Sequence, residues 1–442
     1  MKSFAPTLDL GKSETNTWLT FDAMAVVWQR RAILFACVTS NLAILFTFKY
    51  WDFFSDSVNS AFQLVDIPAQ FPELNLLLPM GISFYTFQSL SYTVDVYKRA
   101  IPAEKHFGYF ALYVVYFPQL VAGPIERAGH LLPQLRNPIA FDYDRFSSGI
   151  QRIVWGMFKK IFIADRLGNY VDVVYSSPDD FHGTAIAAAT YFFAFQIYAD
   201  FSAYSDIAIG SARIIGVDLM ENFRQPYLSE DVGEFWRRWH ISLSQFFRDY
   251  VYIPLGGGRD GALWRARNLV VVFLLSGLWH GAAWTYVIWG LLHGLLVIGS
   301  RHRNADSRWS IQRLFRVAVT FHLVLATWVL FRASSFNDAT IAFQKMFVDC
   351  SQSLYNLANF QPRFYYWEMV LRIGIDKEEF LLCLVAIGVL LLSDMLCNSK
   401  GWFAALQRPR WRFARLAAFD AMIAITLLLG AFGKTQFIYF QF

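Results

Sequence analysis

Charge is scarce in this chain. Asp, Glu, Lys and Arg make up only 17% of 442 residues, against 56% hydrophobic and 18% aromatic. With a mean hydropathy of +0.34, that much apolar surface cannot be hidden in one soluble core, and the chain reads as a polytopic membrane protein. Cysteine is also sparse: four residues, at 37, 350, 383 and 397, with no CxxC spacing, indicate neither a disulfide framework nor a zinc site. HExxH, G-x-S-x-G and P-loop patterns are missing, so a zinc protease, a serine hydrolase and a nucleotide-hydrolysing pump lack their motifs. No internal repeat or low-complexity tract is visible. The net charge of +5 is spread rather than gathered on a basic face, which reads as membrane topology and excludes a nucleic-acid partner. Residues 1–30 are polar and lack the charged-then-apolar order of a secretory leader, so insertion is expected to begin at the first internal span.

Long apolar segments are what the chain does have. They cover roughly 32–50, 74–96, 108–122, 148–166, 184–216, 268–300, 314–332, 379–397 and 415–432, to be judged against the ~20 residues a spanning helix needs. Two of them exceed a single span. The stretches 184–216 and 268–300 contain Gly, Ser or Asp and are expected to be two helices each, or a span plus a re-entrant piece. A period near 3.6 without strict alternation argues for helices rather than barrel strands. The expected fold class is all-α, a polytopic helical membrane fold. Basic clusters, among them Arg30-Arg31, Lys98-Arg99, Lys159-Lys160 and Arg237-Arg238, mark cytoplasmic loops by the positive-inside rule. The polar interruptions 123–147, 218–234, 300–313 and 333–378 read as loops, giving a polar segment over 1–30 and one integral domain over 31–442.

Within these spans His280 stands out. It lies in Leu274-Leu-Ser-Gly-Leu-Trp-His-Gly-Ala-Ala-Trp284, inside an almost unbroken apolar run from Leu269 to Gly299. An imidazole in hydrocarbon faces a cavity or a partner, so chemistry is its default reading; a core histidine bonded to a backbone carbonyl is the alternative. His293 is thirteen residues further on, about 20 Å along a straight helix and too far to share a metal ion. The stretch Asp231-Val-Gly-Glu-Phe-Trp-Arg-Arg-Trp-His-Ile-Ser-Leu-Ser-Gln-Phe-Phe-Arg-Asp-Tyr250 predicts one amphipathic helix. Trp236, Trp239, His240, Leu243, Phe246, Phe247 and Tyr250 share its apolar face, as at a membrane interface. An interfacial anchor is the alternative to a catalytic role for His240. Histidines at the edge of a water-poor interior suit proton transfer, since the ordinary pKa of ~6.5 lets the ring act as a base near neutrality.

Six ordered motifs carry a resemblance. They are Pro79-Met-Gly-Ile-Ser-Phe-Tyr-Thr-Phe-Gln88, Phe117-Pro-Gln-Leu-Val-Ala-Gly-Pro-Ile-Glu-Arg127, Asp200-Phe-Ser-Ala-Tyr-Ser-Asp206, Glu221-Asn-Phe-Arg-Gln-Pro-Tyr227, Glu234-Phe-Trp-Arg-Arg-Trp-His-Ile-Ser-Leu-Ser244 and Leu278-Trp-His-Gly-Ala282. Together they resemble the membrane-bound O-acyltransferases (MBOAT), and within them the bacterial alginate O-acetylases, from about residue 30 onward. The resemblance implies re-entrant and interfacial helices around a central tunnel. It also implies transfer of an acetyl group from cytoplasmic acetyl-CoA, a donor substrate with no bound cofactor beside it, toward an extracellular polysaccharide, with alginate as the first expectation. His280 matches the family's invariant histidine and His240 its second one. Arg237 and Arg238 are candidates for CoA phosphates, with lipid headgroups as the competing partner. Asp200, Ser202, Tyr204, Ser205 and Asp206 form a polar patch that lines the chamber or bonds between helices, and Asn222 belongs to the expected substrate-binding set.

The ending Phe437-Ile-Tyr-Phe-Gln-Phe442 resembles that of alginate-type acetylases and of small partner peptides in teichoic-acid D-alanylation. The likeness makes Tyr439 a candidate acyl carrier that hands acetyl to a periplasmic polysaccharide acetyltransferase with its own serine nucleophile; an aromatic anchor is the alternative. Alginate-type members usually carry further hydrophobic helices before the segment matching residues 31–54, and a shortened reading frame or a variant folding without them both fit. Other expectations remain open: O-acyl or D-alanyl transfer to cellulose, peptidoglycan or teichoic acid, and a non-catalytic transport or scaffold subunit.

Overall fold

The computed structural model describes residues 17–137, 139–300, 310–359, 361–396, 412–433 and 437–438, and every structural statement concerns these. Their regular elements are all helical. In chain order they are α1 (Thr17–Leu45), a π turn (Phe46–Tyr50), α2 (Trp51–Leu64), α3 (Ile82–Tyr97), α4 (Phe107–Val114), α5 (Ala128–Arg136) and α6 (Tyr143–Phe158). A second π turn (Lys159–Ala164) leads to α7 (Asp165–Ser176), α8 (Gly183–Ile214), α9 (Val232–Arg238), α10 (Ile241–Phe247), α11 (Ala262–His280) and α12 (Trp284–Gly299). The rest comprises α13 (Ile311–Arg332), α14 (Phe336–Val348), α15 (Cys350–Ala358), α16 (Pro362–Tyr366), α17 (Lys377–Leu396) and α18 (Arg412–Leu429).

Local chemistry starts many of these helices. Asp142, Asp231, Ser310 and Ser335 each accept a hydrogen bond from the backbone N–H three residues on, satisfying one orphan donor of α6, α9, α13 and α14. Val27–Leu64, α11, α13 and α17 are long and apolar enough to cross a membrane. Other expected spans differ from the sequence reading. Over 74–96 the helix begins only at Ile82, and over 108–122 it is the eight residues of α4. The stretch 333–378, expected to be a loop, carries α14, α15 and α16, because Ser335 caps a run whose Ala339 and Ala342 are buried.

Two backbone-to-backbone packings position the interior. In α6 and α8, Gly149 and Gly210 face each other so closely that a Cβ on either would lie 2.7 Å from the other's carbonyl oxygen. In α11 and α12, a Cβ on Gly277 would strike the Tyr286 carbonyl and one on Gly290 the Phe273 carbonyl. Small residues at such crossings are how helices associate where lipid offers no hydrophobic driving force. The expected division of 268–300 into two helices is observed, with the break at Gly281–Ala283.

The expected division of 184–216 is not observed. α8 is one helix of 32 residues, most of them buried. Asp200, Ser202 and Asp206 looked like interruptions, but each finds a cationic partner on the neighbouring π turn, and no proline breaks the backbone ladder. Lys160 pairs with Asp200 at 2.8 Å, while Lys159 meets Asp206 at 2.7 Å and Ser202 Oγ at 2.6 Å. Lys159-Lys160 is therefore not a loop marker: both lysines are buried, at 4% and 7% exposure.

Candidate active site

The helix expected over Asp231–Tyr250 is two helices with a turn at its centre. α9 ends at Arg238, Trp239 is extended, and His240 takes a left-handed backbone (φ 43°, ψ 56°) before α10 begins. A non-glycine residue there costs about 1–3 kcal/mol and persists only where its surroundings fix it. The segment before α9 does so: Asn222 O accepts from Ile241 N–H (3.0 Å), and Arg224 N–H donates to Arg238 O (2.9 Å). The turn sends the aromatic face inward. Trp239 is 1% exposed and His240 fully buried, so the expected membrane-interface face is core.

Asn222 also sets the His240 ring. Its Oδ1 accepts from Ser242 N–H (3.2 Å) and Ser242 Oγ (2.9 Å), and its Nδ2 donates to Ser205 Oγ (3.3 Å). A backbone N–H can only donate, which identifies the accepting amide atom as oxygen. His240 Nδ1 lies 3.2 Å from that oxygen and is thus the protonated nitrogen. In the neutral ring the lone pair then sits on Nε2, the form a general base needs.

His280 closes α11 and is buried, at 4% exposure. Three aromatic rings wall it, with centroids at 5.0 Å (Trp279), 5.1 Å (Trp289) and 5.3 Å (Phe331). Gly281 follows because the Tyr286 ring lies where a Cβ would be. The decisive feature is the fourth neighbour. The His240 ring stands 6.5 Å from that of His280, centroid to centroid, and Trp279 touches both. Two histidines from separate motifs thus meet in one buried aromatic cluster.

His293 touches the same cluster through Trp289 but is committed elsewhere. Trp236 Nε1–H donates to its Nδ1 (3.2 Å), so its Nε2 carries the proton and faces Thr327 Oγ1 (2.9 Å), which passes a hydrogen to Val324 O (2.7 Å). Every member of that chain is satisfied.

The other candidates fall into two groups. Asp200, Ser202, Tyr204, Ser205 and Asp206 all lie on α8, where Phe201 packs its ring 4.6 Å from that of His240. Beyond the lysine pairs, Asp200 Oδ2 accepts from Ile438 N–H (2.9 Å), and Phe437 lies over Lys160 (4.4 Å) and beside Tyr204 (5.3 Å). The segment at 437–438 is therefore docked on α8; Tyr439 lies outside the described residues. Arg238 pairs with Glu234 at 2.6 Å within α9, while Arg237 is exposed. Sequence reasoning missed Lys159 and Lys160 as partners of the α8 carboxylates, since a dibasic pair reads as a loop signal and the pairing spans forty residues.

A family model for MBOAT, the membrane-bound O-acyltransferase family, matches residues 17–331. The chain belongs to that family. It is 43% identical over 310 residues to a probable alginate O-acetylase of Azotobacter vinelandii, covering 70% of this chain and 62% of the relative. It is 44% identical over 307 residues to the probable alginate O-acetylase of Pseudomonas putida, covering 70% and 63%. A peptidoglycan O-acetyltransferase of Helicobacter pylori is 34% identical over 339 residues, covering 70% and 63%. The chain thus spans about three fifths of the length of the curated relatives it matches. Family membership and the apolar helices together make it a membrane protein.

Proposed function

We propose that this MBOAT protein is a multi-pass, inner-membrane O-acyltransferase that moves acetyl from acetyl-CoA toward an extracellular polysaccharide. The names of its relatives favour alginate. The observation that carries the reading is the meeting of His240 and His280, forty residues apart in sequence, at 6.5 Å in a buried aromatic cluster. A hydroxyl attacking a thioester must lose its proton: the new O–C bond forms, the C–S bond breaks, and the proton passes through an imidazole to the departing thiolate. His280 serves as that base, and His240, held through Nδ1 by Asn222, orients or relays through Nε2. Exclusion of water protects the donor from hydrolysis.

Tyr439 is the proposed first acceptor, passing acetyl from its phenolic oxygen to the serine of a periplasmic transferase and so dividing the transfer into two steps. Docking of Phe437 and Ile438 on Asp200 and Lys160 supports this, because it brings the preceding residues onto the helix that touches His240. In this reading Asp200 and Ser202 hold the docking surface together rather than touch CoA. Exposed Arg237 is the better of the two arginines for a CoA or lipid phosphate, since Arg238 is already paired. A specific observation keeps a second acceptor in view, namely the 34% identity to a peptidoglycan O-acetyltransferase.

The test is radiolabelled acetyl-CoA with purified protein in detergent. His280→Ala should lower label transfer by about 10²–10⁴-fold, the usual worth of a positioned base. Tyr439→Phe should abolish labelling of the chain itself. Transfer undiminished in His280→Ala overturns the enzyme reading, and polymer acetylation intact in Tyr439→Phe overturns the carrier.

A further inference from the structure

His280 is the last residue of α11, and the last turn of any helix leaves four carbonyls without intrahelical donors. Here each of the four has a donor. Gly277 O accepts weakly from Gly281 N–H at 3.4 Å. The other three are reached from the π turn at Phe46–Tyr50, more than two hundred residues earlier in the chain. Tyr50 Oη–H donates to Leu278 O at 3.0 Å. Lys49 Nζ donates to Trp279 O at 2.7 Å and to His280 O at 3.4 Å. Its third hydrogen is directed to Ser83 Oγ, 3.3 Å away on α3. The ammonium's three donors are matched by three acceptors, so its charge is held by neutral oxygens at the negative end of a helix dipole.

We infer that Lys49 is a positioning residue: by clamping the carbonyls of Trp279 and His280 it fixes where the His280 ring stands relative to His240. This inference rests on the proposed catalytic role of His280. First, the chain turns sharply after His280, and Gly281 N–H makes only a long bond, so backbone bonding within α11 does not hold this end. Second, a charge-assisted bond to a carbonyl is shorter and about twice as strong as a neutral one, and here the shorter of the two, 2.7 Å, falls on the residue whose indole touches both histidines. Third, the π turn is what aims Lys49 and Tyr50 together at one helix end. Wide turns of this kind insert an extra residue and re-aim side chains, often beside functional sites.

Loss of the clamp should appear in the chemical step more than in binding, since a misplacement of ~1 Å can cost about 10²-fold in rate. The variants are Lys49→Met, which removes all three donors, and Lys49→Arg, which retains charge and donors. Acetyl transfer is measured beside wild type and His280→Ala, with thermal unfolding in the same detergent as a check on folding. Lys49→Met is expected to lose ten- to a hundredfold in kcat with the KM for acetyl-CoA changed less than threefold, and Lys49→Arg to recover much of it. Histidine labelled with ¹⁵N should show a displaced His280 ring signal in Lys49→Met and not in Lys49→Arg, a readout independent of turnover. If Lys49→Met does not fold, Lys49→Gln and Tyr50→Phe, which remove the clamp piecemeal, supply the same comparison.

Full kcat and an unmoved His280 signal in a folded Lys49 variant would overturn the inference. A His280→Ala variant that remains active would instead remove the proposed function, and the ring signal would still report whether Lys49 positions it.

Discussion

The α6–α8 layer and the α11–α12 hairpin are both packed glycine against glycine in an apolar molecule, yet they handle polarity in opposite ways. Beside α8 the polar groups are ions: Lys159, Lys160 and Arg152 neutralise Asp200 and Asp206, and Arg152 also reaches Glu221. Around α11 and α12 they are neutral donors and acceptors, such as the indole of Trp236, the His293 ring and the Thr327 hydroxyl. Ion pairs give the first region a fixed geometry at the cost of desolvating charge. The second surrounds the His280 ring with aromatic side chains. The ammonium of Lys49, close to His280, points at backbone carbonyls rather than at the ring.

This contrast can be tested by removing one partner in each region and following thermal unfolding in detergent. The largest effect is expected for Asp206→Ala, which strips Lys159 of its carboxylate and leaves a buried charge: about 3–5 kcal/mol of destabilisation. A change below about 1 kcal/mol would mean that the α8 charges are reached by solvent. Thr327→Val should cost less, about 1–3 kcal/mol, because it deprives the His293 Nε2–H of its neutral acceptor. Should the two substitutions cost the same, the distinction between an ionic and a neutral region would fail.

The smallest effect concerns His130, a half-exposed ring on α5 outside both regions. The Glu126 carboxylate bonded to Nδ1 holds this imidazole above its ordinary value of 6.5. A raised value means that the bond contributes fully below pH 6.5 and fades as pH rises through the folded-state value. Wild-type stability should therefore fall slightly on going above neutrality, and His130→Asn should flatten that slope. An identical slope in the variant would show that the pair contributes nothing.

How much was legible follows from particular residues. His280 announced itself, since an imidazole in an apolar run has few uses, and the expected division of 268–300 into two helices is observed. His240 was legible as a candidate and misread in its surroundings. Helical periodicity placed Trp239 and His240 on a membrane-facing stripe, but the left-handed turn that buries them is fixed by hydrogen bonds from residues 222 and 224, which periodicity within 231–250 does not contain. Lys49 gave no signal, because a lysine inside an apolar span reads as an isolated charge until the helix end it clamps is known.

Composition and local pattern by themselves determined that this chain is helical and membrane-bound, with His280 and His293 set in one apolar run. Those properties depend on apolar content and on the 3.6-residue period, both of which are local. Only the tertiary structure decided that α8 runs unbroken, that His240 turns inward to meet His280, and that Lys49 closes the end of α11. Each of these rests on pairing between groups forty or more residues apart. A buried charge or a strained turn is stable only beside its partner, and the partner is supplied by the fold.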